Sequence, residues 1–162
     1  MSAPAWKPIL VGALAALAVG TIGGSLTVLG PWYQGLVKPD WQPPDWLFGP
    51  AWTIIFALAA LSAARAWLDA GADRRRQWII GLFVLNGFLN VFWSLLFFRV
   101  QRPDWSGIEV LLLWLSILVL IIFIGRFSRP AALLLIPYLL WVSFAAALNW
   151  AVVGLNAPFG AA

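Results

Sequence analysis

Residues 32–52 read Trp32-Tyr33-Gln34-Gly35-Leu36-Val37-Lys38-Pro39-Asp40-Trp41-Gln42-Pro43-Pro44-Asp45-Trp46-Leu47-Phe48-Gly49-Pro50-Ala51-Trp52. The stretch holds four tryptophans and four prolines, and Pro31 stands directly before it. Each proline removes a backbone donor and restrains the residue before it, so the stretch cannot be one continuous helix. Because long apolar runs lie on both sides, it is predicted to be a stiff aromatic connector that forms the lid or wall of a ligand site in a membrane protein.

The composition indicates a membrane protein. The 162 residues are 63% hydrophobic and only 10% charged, against roughly 25% charged in soluble domains. Cysteine and histidine are absent, which excludes disulfides, thiol or histidine catalysis and the common zinc sites. No tightly bound metal or cofactor is expected. The net charge of +4 comes from residues at the ends of apolar segments, so membrane topology explains it better than nucleic-acid binding.

Five apolar runs are long enough to cross a bilayer as helices, which takes about 20 residues each. They are approximately 9–29, 46–68, 78–98, 107–125 and 131–153. Short connectors require consecutive helices to be antiparallel neighbours. The sequence therefore predicts an all-α membrane protein, a single five-helix bundle over residues 1–162.

The first run follows Lys7 and contains Ala-x-Ala patterns, so a cleaved signal peptide is an alternative. The run continues to Leu29, beyond the usual signal core of about 7–15 residues, so we expect it to be retained.

The basic residues predict the orientation. Seven flank one side of the predicted spans: Lys7, Arg65, Arg74, Arg75, Arg76, Arg126 and Arg129. Three flank the other: Lys38, Arg99 and Arg102. The positive-inside rule then places the N-terminus in the cytoplasm and the tryptophan-rich connector outside. Helical spans favour a bacterial inner membrane, with the outer membrane as the alternative.

Small residues recur on the first span at every fourth position. They are Gly12, Ala16, Gly20 and Gly24. Such a stripe lets another helix backbone approach closely. The partner helix is expected within the same bundle, although a homodimer interface is the alternative.

Two other spans carry polar and aromatic faces. The third has Asn86, Asn90, Trp93 and Phe97 at helical spacing. The fifth has Tyr138, Trp141, Ala145 and Asn149. An amide without a partner is costly in hydrocarbon, so both faces should look inward, toward each other across a shared space. The alternative is that the asparagines simply bond helices together.

Glu109 lies just inside the fourth span, where a carboxylate needs water or a donor. We expect it to snorkel to the interface or to pair with Arg99 or Arg102.

Tryptophans at span ends are expected to be interfacial anchors. Six others are better candidates for stacking on a flat apolar ligand. They are Trp32, Trp41, Trp46, Trp52, Trp93 and Trp141.

The spacing of these residues resembles the TspO/MBR family, the tryptophan-rich sensory proteins related to the mitochondrial translocator protein or peripheral-type benzodiazepine receptor. The matching stretches are Trp32-Tyr33, Lys38-Pro39-x-Trp41-x-Pro43-Pro44-x-Trp46, Gly49-Pro50-x-Trp52, Leu89-Asn90-x-x-Trp93, Phe97-Phe98, Pro137-Tyr138-Leu139-x-Trp141, Phe144-Ala145 and Leu148-Asn149. The cholesterol-recognition pattern of mammalian relatives is absent from residues 148–154, so sterol recognition through that motif is unsupported.

The resemblance implies a five-helix bundle, often dimeric, that binds porphyrins such as protoporphyrin IX together with isoquinoline or benzodiazepine ligands. By motif position, Trp52 and Trp141 would flank the ring system, Asn90 and Trp93 would line the third-helix wall, and Trp41 and Trp46 would help form the lid. Asn86 stands where relatives commonly have glutamine.

The predicted ligand-binding set is completed from the helix faces and the connector. It comprises Trp32, Trp41, Trp46, Trp52, Asn86, Asn90, Trp93, Tyr138, Trp141 and Ala145.

Three functions fit this sequence. The first is binding of tetrapyrroles for transport or sensing. The second is light-dependent degradation of the porphyrin, with Trp52 and Trp141 as redox-active indoles. The third is a membrane scaffold or sensor that acts through protein partners.

Overall fold

The structure, a computed structural model, describes residues 6–159. Over these residues the chain forms seven α-helices. Their bounds are α1 Trp6–Leu26, α2 Pro31–Gly35, α3 Asp45–Asp69, α4 Asp73–Ser94, α5 Pro103–Gly125, α6 Arg129–Leu133 and α7 Ile136–Asn156, and a π-helical turn at Leu95–Arg99 continues α4. The long elements make five helical segments that are apolar and long enough to cross a membrane. The predicted fold class is confirmed.

The helix boundaries differ from the predicted spans. Helix α1 ends at Leu26, three residues before the predicted end of the first span, and the predicted fifth span is divided between α6 and α7. Other helices begin before the apolar runs that predicted them. Helix α4 begins at Asp73 and α5 at Pro103, four or five residues before the predicted spans. Hydropathy marks only the part of a helix that suits hydrocarbon, whereas the backbone stays helical through the polar residues that follow. Pro103 occupies the first turn of α5, where its missing N–H leaves no hydrogen bond unmade.

Helix α5 builds the solid half of the bundle. Its residues Ile117, Leu120 and Ile124 are completely buried, and the helix packs between α4 and α7. The remaining contacts close a ring, because α1 packs against both α3 and α4 while α3 packs against α6. The apolar core therefore lies around α5, on the opposite side from α1.

Helices α1 and α3 meet closely at one end and diverge toward the other. A Cβ added to Gly12 would lie 2.9 Å from the carbonyl oxygen of Ala60, so here the small-residue seam lies within the bundle, as predicted. A Cβ on Gly20 would lie 3.3 Å from the Phe56 ring, and one on Gly24 would meet nothing within 4 Å. The widening gap opens space inside the bundle.

The π-helical turn at the end of α4 was not foreseen from the sequence. The Val100 N–H donates to the Leu95 carbonyl at 2.9 Å, across five residues instead of four. Beyond it the backbone reverses at Gln101, whose φ of 57° lies in the left-handed region. The turn contains Phe97 and Phe98, and π-helical turns are frequent at functional sites.

The prediction that Glu109 snorkels to the interface or pairs with Arg99 or Arg102 is wrong. Arg102 forms an ion pair with Asp104, and the Arg99 guanidinium donates to the Ser25 carbonyl at 2.9 Å. Glu109 is only 4% exposed, and neither of its carboxyl oxygens has a hydrogen-bond partner among the described residues. Glu109, Val110 and Leu113 are all buried residues of α5. By helical spacing they share one face, which points into the bundle.

Candidate functional site

A cavity of about 1010 Å³ fills the space between α1, α3, α4 and α7. Among residues 6–159, helix α5 contributes nothing to its wall. Residues 31–44, which comprise α2 and the segment leading to α3, contribute Tyr33, Leu36, Lys38 and Gln42. We refer to residues 31–44 as the cap. The cavity is thus the hollow half of the bundle, with the cap at one end.

Aromatic rings make up much of the wall. The Trp52 ring stacks on Phe56 with centroids 5.2 Å apart, and it meets Trp141 nearly at a right angle at 6.4 Å. On α4 and its π-helical continuation, Trp93 stacks on Phe97 at 5.3 Å. These five residues all line the cavity. Their stacking restricts the rings, so the cavity has fixed flat surfaces.

A hydrogen-bond network lies behind the aromatic wall and joins α4, α5 and α7. The Asn90 amide donates to the Tyr138 hydroxyl at 3.1 Å, and that hydroxyl donates to Asn86 Oδ1 at 3.2 Å. The Asn86 amide donates in turn to the Ser116 hydroxyl at 2.8 Å. Each of these four side chains therefore has at least one partner inside the bundle, as burial in hydrocarbon requires.

Asn149 joins the same three helices by a second set of hydrogen bonds. Its Oδ1 accepts from the Trp93 indole at 3.1 Å and from the Ser106 hydroxyl at 2.8 Å. Its amide donates to the Pro103 carbonyl at 2.7 Å. The polar faces predicted on the third and fifth spans do face each other, but they bond directly over part of their length, with no open space between them there.

The cap is held to the start of α3 through Tyr33. The Tyr33 hydroxyl donates to Asp45 Oδ1 at 2.8 Å, and the Gln42 amide donates to both groups at 3.3 Å. The Lys38 ammonium lies 4.2 Å from the centroid of the Tyr33 ring. Burial, together with the neighbouring Asp45 carboxylate, raises the pKa of the Tyr33 hydroxyl above its usual range. Tyr33 therefore stays a neutral donor at physiological pH.

Six of the ten predicted ligand-binding residues line the cavity. They are Trp46, Trp52, Asn90, Trp93, Trp141 and Ala145. They come from three different helices, so the sequence pattern had grouped side chains that the fold brings to one space.

The other four predicted residues lie outside the cavity wall. Trp32 packs edge-on against Phe97 at 6.0 Å, while Trp41 meets Phe144 at 5.8 Å and stays half exposed. Asn86 and Tyr138 are occupied by the network behind the wall. Trp32 and Tyr138 contact wall residues directly, Trp32 through Phe97 and Tyr138 through Trp52 and Asn90.

The sequence interpretation missed part of the wall. Phe56 lies one helical turn after Trp52, and Gly24 lies one turn after Gly20. Because residues one turn apart share a helix face, both could have been predicted from Trp52 and Gly20. Gln42 and Asp45 carried no such signal, because their positions depend on the path of the cap. All four residues line the cavity.

Comparison with known proteins agrees with this architecture. Residues 12–155 match the model of the TspO/MBR family. The tryptophan-rich protein TspO of Chlorobaculum tepidum is 42% identical over 143 residues, which cover 86% of this chain and 90% of that protein. Protein CrtK of Rhodobacter capsulatus is 33% identical over 82% of this chain and 83% of its own length. The human translocator protein is 32% identical over 93% of this chain and 90% of its own length.

Five apolar helices in this arrangement define an integral membrane protein of the five-helix class. The chain belongs to the TspO/MBR family.

Proposed function

We propose that this protein binds planar, largely apolar tetrapyrroles such as protoporphyrin IX in the cavity and acts in their transport or sensing. The observation that carries the proposal is the capped aromatic cavity of about 1010 Å³. Ligand sites are typically concave spaces of about 300–1,000 Å³ with mainly apolar walls and a few polar groups. A flat macrocycle suits a wall whose indole and phenyl rings present rigid faces.

Two polar side chains on the wall suit the edge of such a ligand. Asn90 donates its amide to Tyr138, which leaves its carbonyl oxygen as an acceptor for a ring N–H. Lys38 supplies a cation among the cap residues of the wall, where it would favour a ligand that carries carboxylates. Both contacts are part of the proposal, and together they favour a tetrapyrrole with acidic side chains over a neutral hydrocarbon.

The proposed orientation follows the positive-inside rule, with the N-terminus in the cytoplasm and the cap outside. We place the protein in the inner membrane, where helical spans are usual. A ligand would then reach the cavity from the side of the cap. The name of the human relative, translocator protein, is consistent with a transport role.

The test is a titration of the purified protein with protoporphyrin IX in detergent, in the dark, monitored by quenching of tryptophan fluorescence. Trp141 is suited to substitution because its indole N–H has no hydrogen-bond partner among the described residues. Trp141→Phe and Trp52→Phe should each weaken binding several-fold, while Trp78→Phe, at an exposed position outside the cavity wall, should not. Equal affinities for all three variants would sink the assignment of the cavity.

The contact between Trp52 and Trp141 also favours a second candidate, light-dependent breakdown of the bound porphyrin. Two indoles 6.4 Å apart on the cavity wall would lie beside the bound macrocycle. The excited porphyrin would take an electron from an indole and pass it to dioxygen, and the oxidised indole would recover an electron from the porphyrin, so that the porphyrin is oxidised and dioxygen is reduced. Illumination of the complex in air should then bleach the porphyrin absorbance, and the same experiment without dioxygen should not. A protein that only binds would show quenching without bleaching.

A further inference from the structure

Asn156, at the end of α7, recognises the backbone of one cap residue. Its Oδ1 accepts from the Val37 N–H at 2.8 Å, and its amide donates to the Val37 carbonyl at 2.8 Å. The same amide donates to the Val152 carbonyl one turn earlier in α7, also at 2.8 Å. Asn156 therefore satisfies both backbone groups of Val37 while its side chain is fixed on its own helix. An amide side chain carries a separate donor and acceptor side by side, as this pairing with one residue's N–H and C=O needs.

Val37 occupies a position from which the cap can be controlled. Its neighbours Leu36 and Lys38 both line the cavity. The segment that follows contains Pro39, Pro43 and Pro44, whose rings limit the backbone, so a restraint at Val37 is passed along a stiff chain.

The cap is fastened to α7 at two places. Trp41 meets Phe144 edge-on at 5.8 Å, and Val37 pairs with Asn156, about 18 Å further along the helix at 1.5 Å per residue. Tyr33 and Asp45 fasten the cap to α3. Neither attachment to α7 uses a side chain of the cavity wall. The one at Asn156 is made by hydrogen bonds to the cap backbone and is exposed to solvent. It can therefore release without disturbing the wall.

We propose that Asn156 is a positioning residue that holds the cap over the cavity and sets how fast a ligand enters and leaves. The kinetic part of this inference rests on the proposed function. The structural part, that Asn156 orders the cap, holds with or without a ligand.

The structural part is tested by hydrogen exchange of the protein in detergent without ligand. Asn156→Ala should raise the exchange rate of the Val37 amide and of peptides covering the cap by about fivefold. This factor corresponds to the loss of two exposed hydrogen bonds, each at the low end of the usual range of free energies. Asn156→Asp keeps the acceptor for Val37 N–H and loses the donor, so it should give an intermediate rise. Leu155→Ala, at the neighbouring exposed position, is the matched control. Equal cap exchange in Asn156→Ala and Leu155→Ala overturns the proposal.

The kinetic part is tested by stopped-flow mixing with protoporphyrin IX. In Asn156→Ala the association and dissociation rate constants should both rise about fivefold at an unchanged unfolding temperature, because a gate acts on both directions. Trp141→Phe should raise only the dissociation rate constant. Looser cap exchange with unchanged ligand kinetics overturns the gating role. Failure of the unmodified protein to bind protoporphyrin IX overturns the proposed function and the gating role with it, while the exchange experiment still decides whether Asn156 orders the cap.

Discussion

The indole rings of Trp52 and Trp141 meet at 84° with their centroids 6.4 Å apart. One comes from α3 and the other from α7, so the contact joins two helices at the cavity wall. Perpendicular rings form a corner in which a planar ligand can stack on one indole while its edge meets the other. The corner, more than either ring alone, is the feature that a flat macrocycle would recognise.

The two rings should therefore act as a unit in binding. In a double-mutant cycle with protoporphyrin IX, Trp52→Phe and Trp141→Phe should together cost less than the sum of their separate losses, with a coupling of about 0.5–1.5 kcal/mol. The dissociation constants of the original protein, the two single variants and the double variant are measured by fluorescence quenching. Trp52→Phe combined with Trp78→Phe is the control pair and should be additive within about 0.5 kcal/mol. Strict additivity of the first pair would show that the corner is not shared by one ligand.

Gly12 and Gly24 belong to one stripe but should respond differently to a larger side chain. A Cβ on Gly12 would lie 2.9 Å from the Ala60 carbonyl oxygen, so Gly12→Ala should force α1 from α3 and cost about 1–3 kcal/mol. Gly24 lines the cavity and a Cβ there meets nothing within 4 Å. Gly24→Leu should fold normally and weaken ligand binding at least tenfold by filling the space. Thermal unfolding in detergent and a porphyrin titration are run on both variants. Gly12→Ala should change mainly the unfolding temperature, and Gly24→Leu should change mainly the binding affinity.

Tyr138→Phe should lower stability and leave ligand affinity nearly unchanged. The hydroxyl links Asn90 and Asn86 at 3.1 and 3.2 Å, and its removal leaves two buried amides short of a partner. The cost should be about 1–2 kcal/mol, within the range for buried hydrogen bonds in membrane bundles. Because the hydroxyl lies behind the cavity wall, protoporphyrin IX should bind with an affinity within about twofold of the original. A large loss of affinity at unchanged stability would place the hydroxyl in contact with the ligand.

The helices and their inward faces could be predicted because periodicity and hydropathy are local properties. Asn90 and Trp93 lie one turn apart on α4, and the cost of a lone amide in hydrocarbon was enough to turn that face inward. Trp52 and Trp141 were predicted first from their depth within the spans and then from the family motif, and both line the cavity.

Contacts that depend on the path of the cap could not be predicted. No local sequence pattern links Val37 to Asn156, which are 119 residues apart. No local pattern shows either that Trp41 packs against Phe144 while Trp46 lines the cavity. Glu109 was misassigned for a related reason. The expected partner Arg102 is engaged by Asp104, two residues along the chain, and spacing alone does not rank such competing partners.

The Tyr33 hydroxyl should ionise only above the usual tyrosine value of about 10. Burial and the Asp45 carboxylate both favour its neutral form and raise its pKa. The pKa of the Tyr33 hydroxyl is higher in the folded protein than in the unfolded chain. The contribution of the neutral hydroxyl to folding stability is therefore complete below the unfolded-state pKa and is lost as pH rises through the folded-state pKa. In Tyr138→Phe, which leaves Tyr33 as the remaining tyrosine, phenolate absorbance near 295 nm should develop with a midpoint above about 10. Asp45→Asn should move the midpoint part of the way down, and an ordinary midpoint in both proteins would contradict the buried pairing.

Replacing Glu109 by leucine should stabilise the bundle. The side chain is 4% exposed and neither carboxyl oxygen has a partner among residues 6–159, so the fold bears the desolvation of a polar group without a compensating hydrogen bond. Leucine has a similar reach and would add packing on the α5 face that already holds Val110 and Leu113. A gain of about 1–2 kcal/mol would raise the unfolding midpoint in detergent by about 2–8 °C. Glu109→Gln keeps a polar group at the same place and should give little of this gain. If Glu109→Leu instead lowered the midpoint while Glu109→Gln did not, the carboxyl group would have to be hydrogen-bonded inside the folded bundle.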